Sequence, residues 1–322
     1  MAQSPSNPHD AFFRKMLSHA PDAASEIRAA LPNTLAQHID WDMLELRPCT
    51  YVSQHLQSRV SDLLFRTRLH GRDAFVYVLI EHQSRPDPLM PMRMLEYMVG
   101  IWTEYIQDHS SVERLPAVIP LVVHASPDGR SWSKPTELAD LIDVDPVTRE
   151  ALGDLLPRFR FLLDDLTVHV VSALCGRDLT PASRVLLVIL KVAAKNKHLG
   201  MDLLPVVEDL NTPISAPGGI DTLECVATYI MKVGETPPAD LKPLLDQLGP
   251  DAKEVIMTTA EQLRAEGEAR GLAKSLLAIL AARFGPVPTG IATTIHAASV
   301  AQLEEWTTRA LEAESVDEVF VE

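Results

Sequence analysis

Two short apolar runs joined by a tight turn constrain this chain more than any other stretch. The first reads Val60-Ser61-Asp62-Leu63-Leu64-Phe65-Arg66-Thr67-Arg68-Leu69, the second Ala74-Phe75-Val76-Tyr77-Val78-Leu79-Ile80-Glu81-His82-Gln83. Both carry the composition of strands, and Gly71-Arg72 between them fits a two-residue hairpin turn with glycine first. A turn centred between residues 71 and 72 sets Asp62 directly across from Glu81, with Cβ atoms about 4.5–5.5 Å apart. Side chains alternate along a strand, so Glu81 and Gln83 share a face while His82 points away. Two carboxylates side by side repel, and a cation between them is what such a pair implies.

The rest of the chain bounds the setting. With 322 residues it can bury one large domain and one or two small ones. Aromatic residues make up only 5%, so the core is expected to be aliphatic. Cys49, Cys175 and Cys225 are odd in number and far apart, which fits neither a disulfide framework nor a zinc pattern and points to a reducing compartment. The first residues show no basic stretch followed by an apolar core, and the apolar run from Val185 to Ala194 is too short to span a bilayer. A cytoplasmic protein is expected. The net charge of −15 argues against a generic nucleic-acid coat. Residues 1–133, however, hold 12 basic and 15 acidic side chains, and eleven of those twelve are arginine. Arginine binds phosphate bidentately, so this part is compatible with a polyanion ligand; high-GC codon usage explains the same excess.

Helical spacing of Phe12, Phe13, Met16, Leu17 and Ala20 predicts a helix from Asp10 to Leu31, closed by Pro32. A strand is expected near Leu44–Val52, then the hairpin. A second helix is expected over Pro86–His109, and a buried strand over Ala117–Ala125, where Pro120 would suit an edge or a bulge better. The order is one of an α/β sandwich, a mixed sheet flanked by helices. From Lys134 the pattern becomes helical with proline-rich punctuation. Thr180-Pro181 opens one helix well. Asn211–Asp221 and Gly234–Pro250 read as loops or linkers, and a last helical block starts near Asp251. Ser299-Val-Ala-Gln302 and Ser315-Val-Asp-Glu318 are capping boxes. Three parts result: residues 1–200, a Pro/Gly-rich segment with helices over 201–250, and a helical part over 251–322. No G-x-S-x-G elbow and no phosphate-binding loop of the Walker type occur. His9 and His82 do not form a metal-binding pair, because His82 faces away from Glu81 and no HxH or HxxxH spacing exists.

The helix-strand-strand-strand-helix-strand order, with Asp at the start of one strand and Glu-x-polar at the end of the next, resembles the PD-(D/E)XK nuclease superfamily. More narrowly, Pro8-His9-Asp10-Ala11-Phe12-Phe13-Arg14-Lys15, Ser61-Asp62-Leu63-Leu64-Phe65, Ile80-Glu81-His82-Gln83-Ser84, Arg93-Met-Leu-Glu-Tyr97 and Leu115-Pro-Ala-Val-Ile-Pro120 resemble, in this order, the recombination-promoting nuclease family, also described as putative transposases. The tail from Ser275 to Phe320, with Arg283-Phe-Gly-Pro286 and Leu303-Glu-Glu-Trp306, is similar to a small helical domain of unknown function.

The resemblance implies an αβββαβ core followed by a helical C-terminal region, and a DNA endonuclease that uses Mg²⁺, with Mn²⁺ as a substitute, in breakage linked to recombination or mobile elements. It implies Asp62 and Glu81 as metal ligands, Gln83 in the place of the superfamily lysine, and Asp10 as an accessory acid. Arg93 and Tyr97, four apart and so on one helix face, would contact the phosphate. A neutral glutamine supplies no positive charge and is no general base. A non-catalytic regulatory or protein-binding module that retains the fold is therefore the alternative. The acidic C-terminal half is expected to bind proteins or to form a homo-oligomer.

Overall fold

The computed structural model of the chain describes residues 8–48, 63–82, 86–109, 111–212 and 219–320, with the side chains of residues 79–82 and 238 outside the description. It divides into two compact units, residues 1–253 and 254–322.

A five-stranded mixed sheet organises the first unit. Its strands are β1 (Glu45–Arg47), β2 (Leu63–Leu69), β3 (Arg72–His82), β4 (Ala117–Ala125) and β5 (Leu162–Asp165), in that spatial order. Strands β1, β2 and β3 run antiparallel, whereas β3, β4 and β5 run parallel. The hairpin is present, but its turn is His70-Gly71, not Gly71-Arg72. Leu69 pairs with Arg72 and Leu63 with Val78, where the expected register has Ile80. Both turn residues have positive φ, 49° at His70 and 75° at Gly71, the type I′ geometry whose twist matches that of the strands it joins. A slip of two residues, unlike a slip of one, leaves every side chain on its expected face.

The helices of this unit are α1 (Pro8–Leu17), α2 (Ala20–Ala30), α3 (Asn33–Ala36), α4 (Met90–Asp108), α5 (Pro146–Leu152), α6 (Val171–Cys175), α7 (Pro181–Val192), α8 (Leu199–Asp202), α9 (Val207–Asn211), α10 (Gly219–Val233) and α11 (Lys242–Leu245). The single helix expected over Asp10–Leu31 is two. Pro21 cannot donate to the preceding turn, so it restarts the helix in the first turn of α2 after His19. Thr180 caps α7 as expected, accepting from the Ser183 amide at 3.3 Å. Residues 219–221, expected in a loop, open α10, and residues 238–245, expected in a linker, form helical turns.

Each face of the sheet is covered. On one, Leu64, Phe75, Tyr77, Val118 and Val122 pack against Met90, Met94, Tyr97, Met98 and Ile101 of α4. Each such side chain, fully buried, contributes about 1.5–3 kcal/mol. The alternate residues Leu63, Phe65, Val76, Val78, Leu121 and Val123 are buried on the other face, where α1 reaches β3 and α2 reaches β5. Pro120 sits inside the sheet. Because β5 pairs with β4 only from Leu121 onward, β4 at Pro120 is paired on the β3 side alone, and the missing amide costs least there. Strand β5 itself was not expected.

The second unit has its own core of Ala273, Leu276, Leu280, Ile295, Leu303, Ala310 and Val319. These come from the long helix α12 (Pro250–Phe284), inside which the division between units falls, and from α13 (Thr289–Ala297), α14 (Val300–Glu312) and α15 (Val316–Val319). Gly285 ends α12 with φ of 85°. Arg283 donates to the carbonyls of Ala310 and Ala313 and so closes the end of α14. The first expected capping box is formed at Ser299 and Gln302. The second is not: Ser315 makes no side-chain cap, and Glu318 accepts from the Glu314 amide, one residue too early.

Candidate active site

Position 81 lies one residue from the end of β3, and its neighbour across the parallel ladder is His124 of β4. His124 in turn pairs with Asp165 of β5. Three ionisable residue types thus form one row across three parallel strands at their carboxyl ends, the place where open α/β sheets bind ligands. The alternation assigns His124 and Asp165 a face. Val122 and Leu163, two residues before them, pack with the apolar residues of α4, so His124 and Asp165 lie on the face that α4 covers.

The chemistry of the row differs from member to member. His124 is fully buried. Its Nε2 lies 3.1 Å from the Arg130 carbonyl, and a carbonyl only accepts, so Nε2 carries the proton. The ring meets Trp132 edge-on at 5.3 Å. One Asp165 oxygen accepts from the Trp132 amide at 2.7 Å, and the other from the Thr167 amide and hydroxyl at 3.0 and 2.6 Å. His124 and Asp165 therefore fold the segment after β4 back over the sheet edge.

The expected site residues fare differently. Asp62 and Gln83 lie outside the described residues, as does the Glu81 side chain. Asp10 sits in the first turn of α1, where an acid also complements the helix dipole. Next to it, His9 bonds Tyr229 of α10 at 2.6 Å through Nδ1, and burial pulls its pKa down to about 4, which marks a packing histidine. Arg93 donates to Asp87 at 2.8 Å. Tyr97 is 1% exposed and stacks on Tyr77 at 4.8 Å. Arg93 and Tyr97 thus share α4 as expected, and both are engaged by neighbours in the chain. Among the described residues, no three His, Cys, Asp or Glu side chains gather as they would around a metal ion.

A second cluster occupies the opposite face. Arg177 grips Asp164 with both nitrogens, at 2.6 and 2.8 Å. Beside them Glu26 of α2 is wholly buried, and among the described residues no hydrogen bond at ordinary distance reaches its oxygens. Burial first, and the Asp164 carboxylate second, push its pKa well above the usual carboxylate range. None of these residues stood out in sequence. The only signals were an acid on the apolar stripe of α2 and a His closing a buried strand, and both gain meaning only once β4 and β5 are paired.

A family model described as "Putative transposase, YhgA-like" matches residues 7–213. The chain belongs to this family. The YhgA-like match contains all six expected site residues and all five strands, and it ends before α10. Curated relatives extend the comparison. The chain is 29% identical over 264 residues to recombination-promoting nuclease RpnD of Escherichia coli O157:H7, covering 80% of this chain and 94% of the relative. It is 27% identical over 244 residues to recombination-promoting nuclease RpnC of Escherichia coli K12, covering 73% of each. A third relative, 27% identical over 271 residues and covering 83% and 84%, is named inactive recombination-promoting nuclease-like protein RpnE, also of strain K12. No solved structure matches the chain.

Proposed function

We propose that this YhgA-like protein is a Mg²⁺-dependent DNA endonuclease of PD-(D/E)XK type, acting in recombination or on mobile elements. The observation that carries the reading is the place of position 81, at the carboxyl end of a central strand, in a chain whose relatives are named nucleases. The donor set fits a hard cation. Asp62 and Glu81 are oxygen ligands of the kind Mg²⁺ takes one or two of, with waters completing the shell. When bound, the metal lowers the pKa of its water and offsets charge on the transferring phosphoryl group.

The chain's own groups do the rest. Gln83 orients the attacking water by hydrogen bonding and leaves proton removal to another group. Asp10 supports the acids from α1. Arg93 meets the phosphate after releasing Asp87, and Tyr97 supports β3 beneath the site. The reading includes a cytoplasmic location; no helix among the described residues is long and apolar enough to cross a membrane.

The relative named inactive and the neutral Gln83 favour a second reading, a regulatory or protein-binding module that retains the fold without turnover. Supercoiled plasmid separates the two. With Mg²⁺, wild type is expected to nick at least tenfold faster than Asp62→Ala or Glu81→Ala, and Ca²⁺ to support little cleavage. Equal rates for the three proteins select the second reading.

A further inference from the structure

We propose that Arg130 is a phosphate-contact residue of this site, presented on a loop that His124 and Asp165 pin beside position 81. The inference rests on the nuclease reading. Ala125 ends β4 directly across from His82, so the loop departs one residue beyond the row that contains position 81. It turns at once and in a defined shape. The Gly129 amide donates to the Ser126 carbonyl at 3.0 Å, with Gly129 at φ 65°. The nearly buried Ser126 hydroxyl accepts from the amides of Asp128 and Arg130, both at 3.3 Å. The chain then comes back over the sheet. The Arg130 carbonyl accepts a hydrogen bond from His124 Nε2, and the Trp132 amide donates to Asp165 two residues later. Arg130 is thus anchored through its backbone to the residue that neighbours Glu81, about one strand spacing (~4.8 Å) away.

Charge on the loop is arranged to leave this arginine available. The Asp128 carboxylate is taken by Lys195 at 2.8 Å, and Asp165 is spent on Trp132 and Thr167. The Arg130 side chain is exposed, and among the described residues it makes no ion pair. The described hydrogen bonds at this position are made by its backbone groups. A guanidinium held at a site that must take a phosphodiester is suited to grip it bidentately, and such contacts set the register of DNA on a protein.

The test measures binding of a fluorescent DNA duplex by anisotropy, using full-length protein carrying Glu81→Ala in Ca²⁺ so that no cleavage intervenes, across a range of NaCl. Adding Arg130→Ala is expected to weaken binding about five- to tenfold on any sequence and to flatten the slope of log K against log salt by about 0.9, one phosphate contact. Arg130→Lys is expected to keep the slope and lose part of the affinity. Arg264→Ala, the same loss of charge on α12, is expected to change neither. Unchanged affinity and slope in Arg130→Ala, or an equal loss in Arg264→Ala, overturns the assignment while DNA binding by the parent protein leaves the nuclease reading standing. A parent that binds no DNA overturns both.

Discussion

A carboxyl group shut away from solvent beside a second carboxylate keeps its proton, and Glu26 is in that position. It faces Asp164 of β5, whose charge Arg177 already balances, with His169 3.9 Å from the same aspartate. Burial first, and the neighbouring Asp164 charge second, disfavour the ionised form of Glu26, which is why its pKa is raised. The consequence for stability has a definite sign. The unfolded chain loses this proton near the ordinary value of 4.5, the folded chain only well above it, so the contribution is complete below pH 4.5 and declines as pH rises toward the folded value. Glu26→Gln retains the shape and can donate to Asp164. It should melt at the same temperature as wild type at pH 4 and at a higher one at pH 8. A melting difference that stays constant with pH would show that the proton has no part in it. From the sequence, Glu26 was one acid on a helix. Its isolation came from β5, a strand of four residues with no periodicity to announce it.

At the scale of elements, local chemistry was mostly legible. The spacing of Met90, Met94, Tyr97, Met98 and Ile101 placed α4, and the same residues are buried. Thr180-Pro181 and Ser299-Val-Ala-Gln302 began helices where expected, because a cap is decided by hydrogen bonds within three residues. The two boxes of the second unit now predict opposite outcomes. Ser299→Ala, which removes an amide acceptor at the start of α14, should cost about 1 kcal/mol in urea unfolding. Ser315→Ala should cost near zero, since its hydroxyl caps nothing. Equal losses would mean that the box pattern alone carries the energy. The hairpin shows the limit of local reading. Gly71 allows the turn to be placed with glycine first or second, both registers bury the same faces, and the chain takes His70-Gly71, which sets Phe65 opposite Val76.

At the scale of the molecule, the chain carries two cores. One lies on the two faces of the five-stranded sheet, and the other joins Leu276 and Leu280 of α12 to Ile295, Leu303 and Val319. Separate cores predict separable responses. Leu280→Ala, deleting a fully buried side chain, should destabilise the second unit by about 2–5 kcal/mol and leave the denaturant midpoint of a sheet probe such as Trp132 fluorescence, isolated by replacing the other tryptophans, where it was. A matched shift of that midpoint would mean that the two cores unfold as one. Taken alone, the sequence determined the strand and helix periods, the faces on which residues lie, the caps and the family. Only the tertiary structure decided the register of β2 on β3, the addition of β5, and the row that sets position 81 beside His124 and Asp165. The division has a physical cause. Periods, caps and turns are satisfied within a few residues, whereas parallel strands separated by a helix or a long connection meet only when the whole apolar face is buried.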